Sequence, residues 1–289
     1  MADYQALDEA YRSLLAARPE PPGGSLLAQT LATAPARRRL LPLVPLRAGW
    51  RVLDLGTGFG PLAFELAWAT PVEVVGVDAD LAVLAEAEAL AGRLGGAVAP
   101  GASVRFELGD AAALDSPPGQ FDLVTARLLF QHLAAPAAAA AEIGRVLRPG
   151  GYAFVVDVDD GLSAAYPAPE GALAVLEGAF DAWQASYGGD RQIGRKLSSF
   201  LSGAGLAIEA VTVVPQGEHR GEAPGDLVRS INAARFRAAR APMAAAGILA
   251  AEELDRLVVE YEASPAVERC RIECQVAVVA RRPAAPATL

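Results

Sequence analysis

The run Val52-Leu53-Asp54-Leu55-Gly56-Thr57-Gly58-Phe59-Gly60 joins an apolar, β-rich stretch to glycines at alternate positions. Glycines there let a chain leave a strand, turn sharply and bring its backbone close to a ligand, where any Cβ would collide. The next apolar run, Val74-Val75-Gly76-Val77-Asp78, ends on an acid placed to accept hydrogen bonds from the two hydroxyls of a ribose. A third, Phe106-Glu107-Leu108-Gly109-Asp110-Ala111, ends on Asp110, which can accept from an adenine amino group. Either aspartate taken alone could instead cap a helix. Three such strand tips in register point to a bound nucleoside. A dinucleotide site also uses a glycine turn and a second-strand acid, but its G-x-G-x-x-G requires glycine at position 61, where this chain has Pro61. The G-x-G-x-G spacing and the acid after the third strand point away from NAD.

These tips need a parallel sheet to align them. From residue 50 short β-rich runs alternate with Ala/Leu-rich helical runs, the signature of parallel strands joined by crossover helices. Strands are predicted at Trp50–Leu55, Val72–Val77, Ser103–Leu108, Phe121–Thr125, Tyr152–Val158, Ala207–Val214 and Arg271–Ala280. Helices are predicted at about 61–69, 80–94, 136–147, 169–187, 192–203, 223–240 and 251–262. Ahead of the sheet, residues 1–45 read as a helical cap. One helix over 3–17 has Tyr4, Leu7, Tyr11, Leu14 and Leu15 on one face, a Pro/Gly linker follows at Pro19–Gly24, and a second helix covers 25–41. Residues 46–289 then form the main domain, with two connections longer than a sheet requires, at about 159–205 and 215–269. Elaborations leaving the carboxyl edge of a parallel sheet cover a site there; packing ornament is the equal alternative for the second.

Composition narrows the function class. The 289 residues are 53% hydrophobic and 20% charged, enough for a large core. No uninterrupted apolar run approaches the ~20 residues of a membrane helix, so no membrane role is expected. The acidic start Met-Ala-Asp-Tyr4 lacks a basic region followed by an apolar stretch, so a soluble cytoplasmic protein is expected. Two cysteines form neither a disulfide framework nor a four-thiolate zinc site. The net charge of −9, with no long basic run, disfavours nucleic acid as a partner, because phosphate contacts supply most of that affinity. The triplet Arg37-Arg38-Arg39 reads as a solvated helix face.

Beyond the glycine turn, the chain carries Phe121-Asp122-Leu123-Val124-Thr125-Ala126-Arg127, then Phe130-Gln131-His132-Leu133, then Arg145-Val146-Leu147-Arg148-Pro149-Gly150-Gly151. With these stretches it resembles the class I S-adenosylmethionine-dependent methyltransferases, especially the small-molecule group similar to the ubiquinone/menaquinone methyltransferases. The resemblance covers about residues 30–282. It implies a Rossmann-like α/β sheet in the order 3-2-1-4-5-7-6, the last strand antiparallel, with helical lid insertions. It also implies S-adenosylmethionine as cofactor, S-adenosylhomocysteine as product, and a small-molecule acceptor. Gly56, Thr57, Gly58 and Gly60 would border the methionine moiety, Asp78 would hold the ribose, and Ala79 would lie beside the adenine. Asp110 and Ala111 would meet its amino edge, while Ala126 and Arg127 would face the sulfonium. Asp54 would fix the turn rather than touch ligand.

The acceptor side is less determined. His132, just past the fourth strand, either lines the substrate pocket, with a base role open to it, or makes a helix-terminus hydrogen bond. Gln131, Asp157, Tyr166, Trp183 and Arg191 are further candidates, with Tyr4 and Tyr11 from the cap; core packing is the alternative for Trp183 and the two cap tyrosines. Asp157, Asp159 and Asp160 invite magnesium, as in catechol-type methyltransferases, but those place an acid where this chain has Arg127. Pocket polarity or loop capping is therefore expected, and no metal. The expected reaction is methyl transfer to an O, N or C atom of a small organic molecule, with specialised natural-product biosynthesis as the expected setting. The alternatives are a non-methylating enzyme of the same fold that binds the same cofactor, or a protein methyltransferase. Nothing selects between monomer and homodimer.

Overall fold

The computed structural model describes residues 4–17, 23–94, 98–223 and 226–284. The central strands are β1 (Arg51–Leu55), β2 (Glu73–Asp78), β3 (Ser103–Leu108), β4 (Phe121–Arg127) and β5 (Leu147–Val158), all mutually parallel. Val, Leu and Phe side chains fill both faces of β1 and β4, as a doubly covered parallel sheet requires. β8 (Val267–Arg281) runs antiparallel to β5, and it pairs antiparallel in turn with β6 (Ala164–Tyr166) and β7 (Ala207–Glu222), which run in the same sense as β5. The order is β3-β2-β1-β4-β5-β8-β7, with β6 pairing β8 on the same edge as β5. This is the order the resemblance implies. The one addition is β6, three residues ahead of Pro167, too short to leave a periodic signal.

Helices α1 (Gln5–Ala17), α2 (Gly23–Ala32), α3 (Ala34–Leu40), α4 (Pro61–Ala69) and α5 (Leu81–Leu94) share a core with one face of the sheet. On the other face lie α6 (Pro136–Val146) and α8 (Leu197–Gly203). The single helix expected over 25–41 is broken at Thr33, just ahead of Pro35 in the first turn of α3. Of the predicted linker Pro19–Gly24, residues 19–22 lie outside the described residues; Gly23 and Gly24 open α2.

The two long connections come together. Helix α7 (Gly171–Ser186) from the first packs with α9 (Leu227–Ala238), α10 (Arg240–Ala245) and α11 (Ala251–Ala263) from the second, around Leu176, Phe236, Met243 and Tyr261. This helical body stands on the β7–β8 ribbon. β5 pairs β8 only as far as Gln275, so Val267–Cys274 run on past the carboxyl edge of the sheet, about 27 Å at the usual strand rise. Helix α9 also meets α2, so the N-terminal cap and the helical body touch.

Of the arginine triplet Arg39 is exposed, but Arg37 and Arg38 are not part of a solvated face. Arg37 is 2% exposed, and its guanidinium grips the fully buried Glu65 of α4 with two hydrogen bonds, Nε to Oε2 at 2.7 Å and Nη2 to Oε1 at 2.9 Å. Arg38 donates to the same carboxylate at 2.8 Å and to Asp8 of α1 at 2.9 and 2.5 Å. Helical periodicity gives no sign of this contact, because the partner lies 28 positions away. Such a pair adds little net stability against an apolar substitute, yet removing one member strands a buried charge. Glu65→Ala should therefore cost about 3–5 kcal/mol, read as a lowered urea midpoint with unchanged slope. A loss below about 1 kcal/mol would mean the cap is held by its apolar face alone.

Candidate functional site

The glycine turn leaves β1 with Gly56, Gly58 and Gly60 all at positive φ (+65°, +55° and +77°). At Gly60 a Cβ would lie 2.6 Å from the Phe106 ring, so that glycine permits close packing. At Gly58 a Cβ would meet nothing within 4 Å: this glycine borders open space, where a ligand can approach the backbone. The amides of Gly56 and Thr57 donate to the Val77 carbonyl at 2.8 and 3.1 Å, tying the turn to β2. Beneath it, the buried Asp54 accepts from the Thr57 hydroxyl at 2.8 Å and the Thr125 hydroxyl at 2.7 Å. Burial raises the Asp54 pKa to about 6 against the pull of those two donors. Asp54 thus fixes the turn, and the Thr57 side chain points inward to it. Tyr11 adds a tie, its hydroxyl donating to the Phe59 carbonyl at 2.9 Å.

At the second tip, the Asp78 carboxylate accepts from Gly58 N at 2.8 Å and from Asp80 N at 3.1 Å. Helix capping falls to its neighbour: Asp80 Oδ1 accepts from the amides of Ala82 and Val83 at the start of α5. Each Asp78 oxygen keeps lone pairs for a further donor, so the carboxylate can hold the turn and two hydroxyls at once. Ala79 beside it is exposed. Asp110 is exposed and accepts from Ala112 N at 2.8 Å, and Ala111 is buried against the sheet. Gly109 N donates to the Asp78 carbonyl at 3.0 Å, which joins the tips of β2 and β3.

β4 ends on Ala126, fully packed, and Arg127, and Leu128 follows at φ +57°, the one described non-glycine residue in the left-handed region. Strain of this kind at a strand tip is characteristic of sites whose geometry is enforced from outside. Leu128 N donates to the Val156 carbonyl at 2.9 Å, and the loop that follows is held by Asp157 of β5. Its buried carboxylate accepts from the amides of Gln131 (3.2 Å), Val158 (2.8 Å) and Phe130, and burial raises its pKa to about 7. Gln131 in turn accepts from Arg191 at 2.6 Å, and Arg191 also pairs with Asp160. His132 presents an exposed ring edge, with Nδ1 3.4 Å from the Gln184 amide of α7. Burial by the surrounding protein and nearby Arg191 lower its pKa.

Several acceptor-side expectations need correcting. Tyr11 lies in the core under the turn because its ring completes the apolar face of α1, so it supports the site instead of lining it. Asp157 spends its oxygens on backbone amides and holds the loop. Tyr166 is 83% exposed on the short β6. Trp183 packs edge-on between Phe180 and Tyr187 on α7, at 5.4 and 5.3 Å, the core alternative. Tyr4 lies under the Arg38 guanidinium, 4.4 Å from its ring centre. Gln131, His132 and Arg191 do converge, together with Gln184, which the sequence reading passed over. Asp159 pairs with Arg195 at 2.5 Å, so the three clustered aspartates face three different sets of partners. Among the described residues no group of three or more His, Cys, Asp or Glu side chains could hold a metal ion. Nor is any described helix long and apolar enough to cross a membrane.

Residues 52–151 match the family described as a methyltransferase domain. The chain is 39% identical over 141 residues to a demethylmenaquinone methyltransferase of Thermus thermophilus, covering 48% of this chain and 58% of that protein. It is 34% identical over 208 residues to a nocamycin O-methyltransferase of Saccharothrix syringae, covering 70% and 64%. The chain spans about half the length of the curated relatives it matches. Its fold is shared, at TM-score 0.52 and 20% identity, with a Haemonchus contortus phosphoethanolamine N-methyltransferase solved with S-adenosyl-L-methionine, covering 86% of this chain and 53% of that one. The residues present fit that cofactor. The space at Gly58 admits a ligand against the backbone, and the Asp78 carboxylate faces it with acceptor capacity to spare.

The loop-holding role of Asp157 has a pH signature. With its pKa raised from 3.8 to about 7, the folded protein keeps a proton that the unfolded chain has already lost. The resulting stabilisation is complete below about pH 4 and disappears as pH rises through about 7. Asp157→Asn cannot titrate. The stability of the parent minus that of Asp157→Asn, from urea unfolding, should fall by roughly 2–4 kcal/mol between about pH 4.5 and pH 8. A difference independent of pH would mean that the carboxyl titrates as an ordinary acid.

Proposed function

We propose that this chain, which carries the methyltransferase domain of the class I S-adenosylmethionine-dependent enzymes, transfers a methyl group to an O, N or C atom of a small organic molecule without a metal ion. The observation that carries the reading is the Gly58–Asp78 contact, a ribose acceptor anchored to the turn that borders open space. The cofactor, when bound, supplies a methyl group already activated on a sulfonium. The protein's work is then alignment and exclusion of water. Asp78 fixes the ribose, and the Asp157-pinned loop sets the position of Gln131 and His132. The lowered pKa of His132 keeps its imidazole neutral at pH 7, with a nitrogen able to accept a proton from an acceptor hydroxyl or amine. The helical body of α7 and α9–α11, mounted past the carboxyl edge of the sheet, supports the reading of a cover over the acceptor. Small-molecule chemistry is further supported by the named activities of the relatives and by the acidic net charge, −9.

Asp78→Ala should weaken S-adenosylhomocysteine binding by roughly ten- to a hundredfold in calorimetry, the usual loss when a charged hydrogen-bond partner is removed. Unchanged affinity in a folded variant would remove the basis for the assignment. Incubation of a metabolite extract with the enzyme and methyl-labelled cofactor should give labelled products at undiminished yield in EDTA. Loss of product in EDTA with recovery on adding magnesium would return the three aspartates to a metal role.

A further inference from the structure

Arg127 is the unresolved charge of this site. Its Nε and Nη2 are buried and have no hydrogen-bond partner among the described residues. The charged groups that act on it most are Arg37, Glu65, Asp157 and Asp54. None of the three acids is available to it. Glu65 is engaged by Arg37 and Arg38, Asp54 by the hydroxyls of Thr57 and Thr125, and Asp157 by backbone amides. Asp54 and Asp157 are moreover raised toward neutrality, to about 6 and about 7, and burial with the Arg37 charge lowers Arg127 itself to about 10. A guanidinium in that setting is costly unless an anion joins it, and its planar fork matches a carboxylate.

We propose that Arg127 is the carboxylate-binding residue of the methyl-transfer site, taking a ligand carboxylate on its guanidinium. This rests on the methyltransferase reading above. Three of its four charged neighbours belong to the cap, to α4 and to the base of the glycine turn, not to the helical body. The carboxylate of the cofactor's amino-acid end is therefore the expected occupant; an acceptor carboxylate is the other source of the same chemistry.

Calorimetry with S-adenosylhomocysteine and with 5′-methylthioadenosine, which lacks the amino-acid end, separates the two. Arg127→Gln should weaken S-adenosylhomocysteine binding by roughly ten- to a hundredfold while leaving methylthioadenosine within about twofold. Arg127→Lys, which keeps charge without the fork, should fall between. Without ligand, Arg127→Gln should melt no lower than the parent, because no partner within the protein is lost. If both nucleosides bind unchanged but benzoate binds the S-adenosylhomocysteine complex of the parent and not of Arg127→Gln, the carboxylate comes from the acceptor. Equal losses for both nucleosides, no loss for any probe, or a marked drop in ligand-free melting temperature would each overturn the proposal. A parent protein that binds neither nucleoside would overturn the methyltransferase reading itself, and this inference with it.

Discussion

One carboxylate holds the site together from behind. Glu65 sits in the helix that begins where the glycine turn ends, has no exposure to solvent, and is neutralised by two guanidinium groups from α3. Through Arg38 the same network reaches Asp8 on α1, and α1 in turn presses Tyr11 onto the Phe59 carbonyl inside the turn. The cap is thus joined to the turn at both ends, by charge at α4 and by a hydroxyl at Phe59. An apolar contact alone would permit the cap to slide; two directional ties at different points fix its register.

The buried acids of the site follow one logic. Each buried acid has its own set of donors: backbone amides for Asp157, threonine hydroxyls for Asp54, arginines for Glu65 and Asp159. Satisfied in this way, they fix the segments whose donors they accept from. Leu128 shows the force involved, since a leucine is held at positive φ by the loop bonds around it.

The sheet could be read from the sequence because buried parallel strands write themselves as short β-branched runs, and the glycine spacing marks the turn between β1 and α4. The position of Asp78 could be read because it is local to a strand end. The arginine clamp could not, since its partners are far apart in the chain, although one glutamate in Pro61-Leu62-Ala63-Phe64-Glu65-Leu66-Ala67, an otherwise apolar helix, was the available sign. The helices of the helical body could be read, but their packing on one another could not, for a related reason: α7 and α11 are far apart in the chain, and nothing in either helix names the other. Tyr11 and Trp183 were ambiguous because an aromatic side chain at helical spacing suits a core and a pocket equally well.

The position of β8 bears on how the molecule is made. It is the last strand along the chain, yet it lies inside the sheet, with β5 and β6 on one side and β7 on the other. During synthesis the whole nucleoside-binding half can assemble while the outer edge of β5 still waits, a row of unpaired amides and carbonyls beside Val155 and Val156. Such a nascent chain is able to pair with another chain's free strand. Emergence of residues 267–281 from the ribosome is the event that closes this window, and any delay there converts a folding intermediate into a candidate for aggregation.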